Sequence, residues 1–411
     1  MTKRAIVLAV AVLSVAANAG AQLRKYVAVV EPVFHASTRN EFSRWADFFD
    51  ARGQDDWAGF FRVFSGENGP TAFGSGWVHV QPDGTVQVIT NAHVVKQAQK
   101  ARVIFEDVHG KRRVFDSVPI SYVDDRFDLA VLTLPPGSFD SGLRLRPGYQ
   151  QDGTPIAAAG FPGFGHAPLW QFSTGIVSNS AARIDPAYSY LIQHTAPIGT
   201  GNSGGPLLVA EPSNSVGFEV VGVNVSVAVQ RQNTGFAIPV RDVSEALARA
   251  RSVAGIEADA AALRADLLAQ SEALAAALRN PDANTQVLSR YISYAFVAER
   301  GFQSYAEILQ VAPDPKPWLT RFYSAPIETM RACIHLRIRG ELENLGGIST
   351  IRPLGILWLG DRSDERSGEA CTRYSVGGRR IEIFWIREYG HWKVRYFDLP
   401  SLGFPYDKLP R

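Results

Sequence analysis

The stretch Gly201-Asn202-Ser203-Gly204-Gly205-Pro206-Leu207 decides more about this chain than any other. A serine set between glycines suits a nucleophile, because glycine lets the backbone bend sharply and lets a substrate come close. Amides in such a turn can converge on a developing oxyanion, and those of Gly201 and Ser203 are the natural pair. The same letters satisfy Gly-x-Ser-x-Gly, the nucleophile elbow of α/β-hydrolases, in which the serine joins a strand to a helix and the acid and histidine follow it. Here Pro206 and the β-type run Leu207-Leu208-Val209-Ala210 come next, and the only later histidines are His335 and His391. The elbow reading fits poorly.

Working upstream, Thr90-Asn91-Ala92-His93-Val94-Val95 ends a β-type run on a histidine. A serine hydroxyl holds its proton too tightly near neutral pH to attack a carbonyl unaided. A neutral imidazole removes that proton and later returns it to the leaving amine. Phe127-Asp128-Leu129-Ala130-Val131-Leu132 then sets a carboxylate at the head of an apolar strand. There it can accept from the imidazole and fix its tautomer. Asp124 and Asp125 are rivals, but a polar loop before Arg126 reads as solvated. The order His, Asp, Ser is that of the chymotrypsin-like arrangement.

The surroundings agree with an all-β body. From Thr71 to Pro239 short β-type runs such as Gly76–Val80, Val86–Thr90, Pro155–Ala159 and Gly235–Pro239 alternate with Gly, Pro and Asp, and Pro82-Asp83-Gly84 signals a turn. Such a texture without alternating helices predicts a barrel or sandwich.

These strings together resemble the HtrA (Deg) branch of trypsin-like serine proteases. Gly74-Ser75-Gly76-Trp77-Val78 looks like that family's first core strand. The strings around His93, Asp128 and Ser203 look like its three catalytic motifs, and Thr174–Ser178 and Gly235–Pro239 are similar to later barrel strands. The resemblance implies a double β-barrel. It makes His93 the general base, Asp128 its orienting acid, Ser203 the nucleophile, and Gly201 with Ser203 the oxyanion hole. It implies no cofactor or metal, and unfolded or partly unfolded proteins as substrates. It assigns Pro197 and Asn224 to the primary specificity pocket. With no acid at Pro197 to attract Lys or Arg, cleavage after small aliphatic residues such as Val or Ala is expected. The chain departs from the family in two places. Gly199-Thr200 stands where Asn-Pro is common, and no PDZ pattern follows residue 240.

Around this body the expected organisation is a signal peptide (1–21), an aromatic arm (22–69), the protease domain (70–243), a helical linker (244–280) and a smaller α+β domain (281–411). Lys3 and Arg4, the apolar run Ala5–Val15 and Ala17-Asn18-Ala19 form the signal pattern, and the run is too short for a bilayer span. A periplasmic or secreted location follows, and no later run is long enough to cross a membrane. The arm carries the aromatic helix Phe42–Phe49 and the cluster Trp57, Phe60, Phe61 and Phe64. It looks like the segment through which family members form homotrimers. Gly255 is expected to split the linker into two helices. In the last part, Val287–Glu299 reads as a helix, and Cys333–Ile338, Ile381–Ile386 and Trp392–Phe397 as strands.

A net charge of +2 on 411 residues offers no basic face for nucleic acid. After export Cys333 and Cys371 would meet an oxidising compartment, where a disulfide between them is expected, buried free thiols being the alternative. Two other functional readings stand beside the protease. One is a trypsin-fold scaffold that does not use its triad. The other is a C-terminal ligand site lined by Tyr374, Phe384, Trp385, Tyr389, Trp392 and Tyr396.

Overall fold

The computed structural model describes residues 22–34, 36–65, 72–164, 167–183, 190–227, 234–280, 290–312, 314, 316–324, 326–360 and 368–399. The signal pattern at 1–21 and the side chains of Trp57, Phe60 and Phe64 lie outside the described residues. Two compact units emerge, one with residues up to 35 and Phe42–Arg251, the other with Ala36–Glu41 and Ser252 onward.

The first unit holds two barrels. β1 (Val27–Phe34), β2 (Gly74–Val80), β3 (Val86–Asn91), β4 (Ala98–Glu106), β5 (Arg112–Asp124) and β6 (Leu129–Thr133) close a ring in the order β1-β2-β3-β6-β5-β4. β3 is buried along its whole length, as the core strand of a barrel should be. The turn from β2 to β3 uses Gly84 at φ 85° and an Asp83 carboxylate that accepts from the Thr85 amide at 2.9 Å.

β1 corrects the expected arm. The run Val27-Ala28-Val29-Val30 pairs with β2 on one side and β4 on the other. Without it both strands would keep an open edge, which a barrel exists to remove. The rest of the arm is helical, Ala36–Asp50 and Asp55–Ser65. Phe42, Trp45, Phe49 and Phe61 are buried against one another, and Phe42 also meets Phe34 of β1.

The second barrel is built from β8 (Pro155–Gly160), β11 (Gln171–Ala182), β12 (Leu191–His194), β13 (Pro206–Ala210), β14 (Phe218–Val227) and β15 (Gly235–Pro239). The pairing β13–β14 closes this ring, and the short β7 (Arg144–Leu145) adds to β14 in parallel. A two-residue hairpin, β9 (Gly163–Phe164) and β10 (Ala167–Pro168), stands apart. The barrel interior is filled by Ile156, Ala158, Val177, Ile192, Leu207, Val209 and Val221 among others.

Helices Val240–Ala258 and Ala260–Arg279 follow. Gly255 does not divide them. The break falls at Asp259, whose side chain caps the second helix by accepting from the amides of Ala261 (2.8 Å) and Ala262 (3.3 Å).

The C-terminal unit is α+β: helices Tyr294–Val311, Lys316–Ser324 and Pro326–Asn344, then the antiparallel sheet β16 (Arg352–Leu359), β17 (Glu369–Val376), β18 (Arg379–Glu388) and β19 (His391–Phe397). The Tyr294 helix starts later than expected, because Ser293 caps it by accepting from the Phe296 amide; residues 287–289 lie outside the described residues. Cys333–Ile338 is helix, not strand. Met330, Ile334, Ile338 and Leu342 recur every fourth residue and are all buried, a helical period that overrides the local alternation. Cys333 on that helix and Cys371 on β17 are both buried and are not joined, so the expected disulfide between them is absent. Burial pushes the Cys371 thiol up to about 12, with the Glu382 charge adding to it. Tyr374, Trp385 and Trp392 are buried as core, and the polar tips of the first two are satisfied by the Ser271 carbonyl and Thr372 Oγ1.

Candidate active site

His93 stands on the one-turn helix Ala92–Val95 that follows β3 directly. Its ring Nδ1 lies 2.7 Å from Asp128 Oδ2, and its backbone amide donates to Asp128 Oδ1 at 2.9 Å. Asp128 sits at the head of β6 in the left-handed region, φ 54°, which a non-glycine residue occupies only when its surroundings insist. They do so here through its carbonyl, which accepts from the Ala92 amide and from Asn91 Nδ2, both at 3.0 Å. The His93 side chain is 47% exposed and that of Asp128 17%, so the imidazole faces an opening while the carboxylate is shielded behind it.

The rival acids are otherwise engaged. Asp125 pairs with Lys96 at 2.8 Å. Asp124 is buried, contrary to the solvated loop expected of it. Tyr122 Oη donates to it at 3.3 Å and Arg249 pairs with it at 3.4 Å. Burial and the neighbouring Asp124 charge push the Tyr122 hydroxyl up to about 12.

Ser203 is carried to this place by β2. Ser75 donates its amide to the Ser203 carbonyl at 2.7 Å, and its own carbonyl accepts from Thr90 Oγ1, three residues before His93, at 2.7 Å. Gly74 explains the closeness. A Cβ there would lie 2.5 Å from a Val94 methyl and 2.9 Å from the Ser203 carbonyl, so only glycine lets the two loops approach. Gly204 is wedged in the same way against the Ser75 carbonyl and Thr90 Oγ1, at φ 87°.

The turn itself is braced by the Ser75 hydroxyl, which donates to the Gly201 carbonyl at 2.7 Å and accepts from the Phe161 amide at 2.9 Å. Among the described residues the amides of Asn202, Gly204 and Gly205 are bonded, and those of Gly201 and Ser203 are not. The Ser203 hydroxyl donates to the Val225 carbonyl at 3.3 Å. Asn224, next to it, is fully buried; its Nδ2 donates to the Pro206 carbonyl at 3.3 Å. Pro197 is exposed, and its carbonyl accepts from Ser173 Oγ at 2.6 Å. Sequence reasoning passed over Ser75, which joins the two barrels, and Thr90 and Asn91, which hold Ser75 and Asp128 in place. Their signal was position, each lying inside a motif already singled out.

Residues 74–223 match the family model of the trypsin-like peptidase domain. That segment is a trypsin-like peptidase domain. HhoB of Synechocystis sp. is 33% identical over 202 residues, covering 44% of this chain and 42% of its own. The chloroplastic protease Do-like 1 of Arabidopsis thaliana is 30% identical over 189 residues, covering 42% of this chain and 38% of its own. The chain thus spans less than half the length of these curated relatives. Among solved structures, the serine endoprotease from Yersinia pestis aligns at 20% identity with a TM-score of 0.37, over 56% of this chain and 66% of that one. The segment is thus similar in sequence to proteases of the HtrA/Deg-like kind that its motifs resemble.

Proposed function

We propose that the peptidase domain is an active serine endopeptidase. The observation that carries this is the His93–Asp128 pair, bonded through ring and backbone at 2.7 and 2.9 Å, together with a serine loop in which two amides are unbonded among the described residues. In the reaction the His93 Nε2 takes the Ser203 proton as Oγ attacks the substrate carbonyl. The free amides of Gly201 and Ser203 receive the oxyanion. Asp128 holds the Nδ1 proton and stabilises the imidazolium, which then protonates the leaving amine, and water releases the acyl group by the same route. For the first step the Ser203 hydroxyl must turn from the Val225 carbonyl toward His93.

The wider reading is an exported enzyme acting on unfolded or partly unfolded proteins, with small aliphatic preference at the residue whose carbonyl is attacked (P1). Motif resemblance and the signal pattern support it. Assembly as a homo-oligomer rests on the same resemblance. No helix among the described residues is long and apolar enough to cross a membrane. A second reading, a silent scaffold, draws on the Ser203–Val225 bond.

Labelling with a fluorophosphonate probe separates the two. Wild type is expected to take the probe and Ser203→Ala to take none. An unlabelled wild type, even with unfolded casein present, would leave the scaffold.

A further inference from the structure

Apart from the catalytic loops, the second barrel carries a cavity of about 330 Å³. It forms where β15 ends. Pro239 brings no amide to extend that strand, and the chain turns at Val240 into the helix Val240–Ala258. The space left between the head of this helix, the end of β11 and residues 148–150 is floored by Ile192 of β12, Val221 of β14 and Val240. All three are buried, and the first two belong to the barrel core.

The walls differ from the floor. Tyr149 and Tyr190 both line the cavity, 68% and 51% exposed, and no other aromatic residue among those described is as exposed. A single exposed tyrosine needs no account, but two on the rim of one apolar cavity mark a surface that another molecule covers. Tyr149 is also held in place. Ser180 Oγ donates its one proton to Asp152 at 2.6 Å, so the Tyr149 hydroxyl is the donor in its 2.5 Å bond to Ser180.

Arg241 supplies a polar end. Its Nε donates at 2.7 Å to Oδ1 of Asp242, a side chain 1% exposed, while its own side chain is 70% exposed. The buried acid orients the guanidinium, and neither Nη has a hydrogen-bond partner among the described residues. Two such donors side by side match the two oxygens of a carboxylate. Because Asp242 offsets the charge of Arg241, these donors act at contact range and not by long-range attraction. A bare inorganic anion would also leave the apolar floor uncovered.

We infer that this cavity binds a small aromatic carboxylate, its ring against Ile192, Val221 and Val240 beside the two tyrosines and its carboxylate on the Arg241 Nη groups. A cavity of this volume suits a ligand of one or two rings. The inference stands apart from the endopeptidase reading, because none of these groups takes part in the proposed catalysis.

The test uses 2-naphthoate, titrated into the full-length protein and followed by ligand-observed NMR, with 2-naphthamide and acetate as the neutral and the ringless counterparts. Naphthoate should bind with a Kd of roughly 0.1–1 mM, as its size allows. The amide and acetate should each bind about tenfold or more weakly. Arg241→Gln should weaken naphthoate roughly tenfold and leave the amide unchanged, while Tyr149→Ala should weaken both. Both side chains are mostly exposed, so both variants should keep the wild-type circular dichroism and thermal midpoint. Equal affinity for naphthoate and naphthamide would overturn the inference, as would no saturable naphthoate binding at tenfold above that range. Naphthoate binding at wild-type strength in both variants would overturn it too, by placing the ligand elsewhere.

Discussion

In the first barrel His93 is tied to Asp128 through ring and backbone, and Asp128 in turn accepts from Ala92 and Asn91 through its carbonyl. In the second barrel the Ser203 hydroxyl rests on a strand carbonyl, and its loop takes its brace from Ser75, a residue of the first barrel. The acid–base half is thus finished within one barrel, while the nucleophile half is adjustable and partly borrowed. In the proposed mechanism the hydroxyl that must rotate belongs to the second barrel.

The strongest way to break this comparison is Asp128→Asn. An amide would present a donor either to the His93 amide or to its ring Nδ1–H, so one bond is lost and the tautomer is no longer fixed. A fall in kcat of roughly 10⁴-fold near neutral pH is expected. Activity within tenfold of wild type would mean that the first barrel's pair does not act as base and orienter.

Acid gives the next largest effect and again divides the barrels. His79 in the first barrel has a partner, the Leu143 carbonyl at 3.3 Å from its Nδ1; burial still lowers its pKa. His194 in the second barrel is fully buried, and burial takes it from 6.5 to about 4, against the weaker opposing pull of hydrogen bonding to Asn224 and the Ala196 backbone. Between those two pH values the unfolded chain binds a proton that the folded barrel refuses. The associated stability is fully present above pH 6.5 and is lost as pH falls toward 4, by up to roughly 3 kcal/mol. His335 in the C-terminal unit, also about 4, adds a loss of the same sign. Urea midpoints at pH 7.5 and 4.5 should show the loss, and His194→Leu should reduce it. An unchanged difference in that variant would show that the second barrel's histidine is not the acid-sensitive group.

How far the sequence reached follows the same divide between local and non-local causes. Ser203, His93 and Asp128 were legible because each lies in a short string whose chemistry is local: glycines at a turn, a histidine ending a strand, an acid opening one. β1 was not, because Val27–Val30 becomes a barrel strand only through partners far along the chain. Cys333–Ile338 misled because six residues of alternation outweighed a four-residue period that needs Met330 and Leu342 to be seen. His194 carries no local signal at all. Its place beside Gly235 comes from strand register and nothing in its own neighbourhood.

The smallest effect sharpens the comparison most, because Ser75 joins the two barrels. Its hydroxyl is buried and serves the Gly201 carbonyl and the Phe161 amide together. In Ser75→Ala both groups lose their partner at a buried position, at roughly 1–3 kcal/mol of stability. The turn that holds the Gly201 and Ser203 amides also loses its brace. Because those amides matter most when charge develops on the substrate, kcat should fall about 10- to 100-fold while KM moves less. Thr90→Val is the control, since the Thr90 hydroxyl reaches only the Ser75 carbonyl and leaves the oxyanion turn bonded. A Ser75→Ala enzyme that changed KM and kept kcat would mean that Ser75 serves substrate binding, and that the second barrel shapes its own turn.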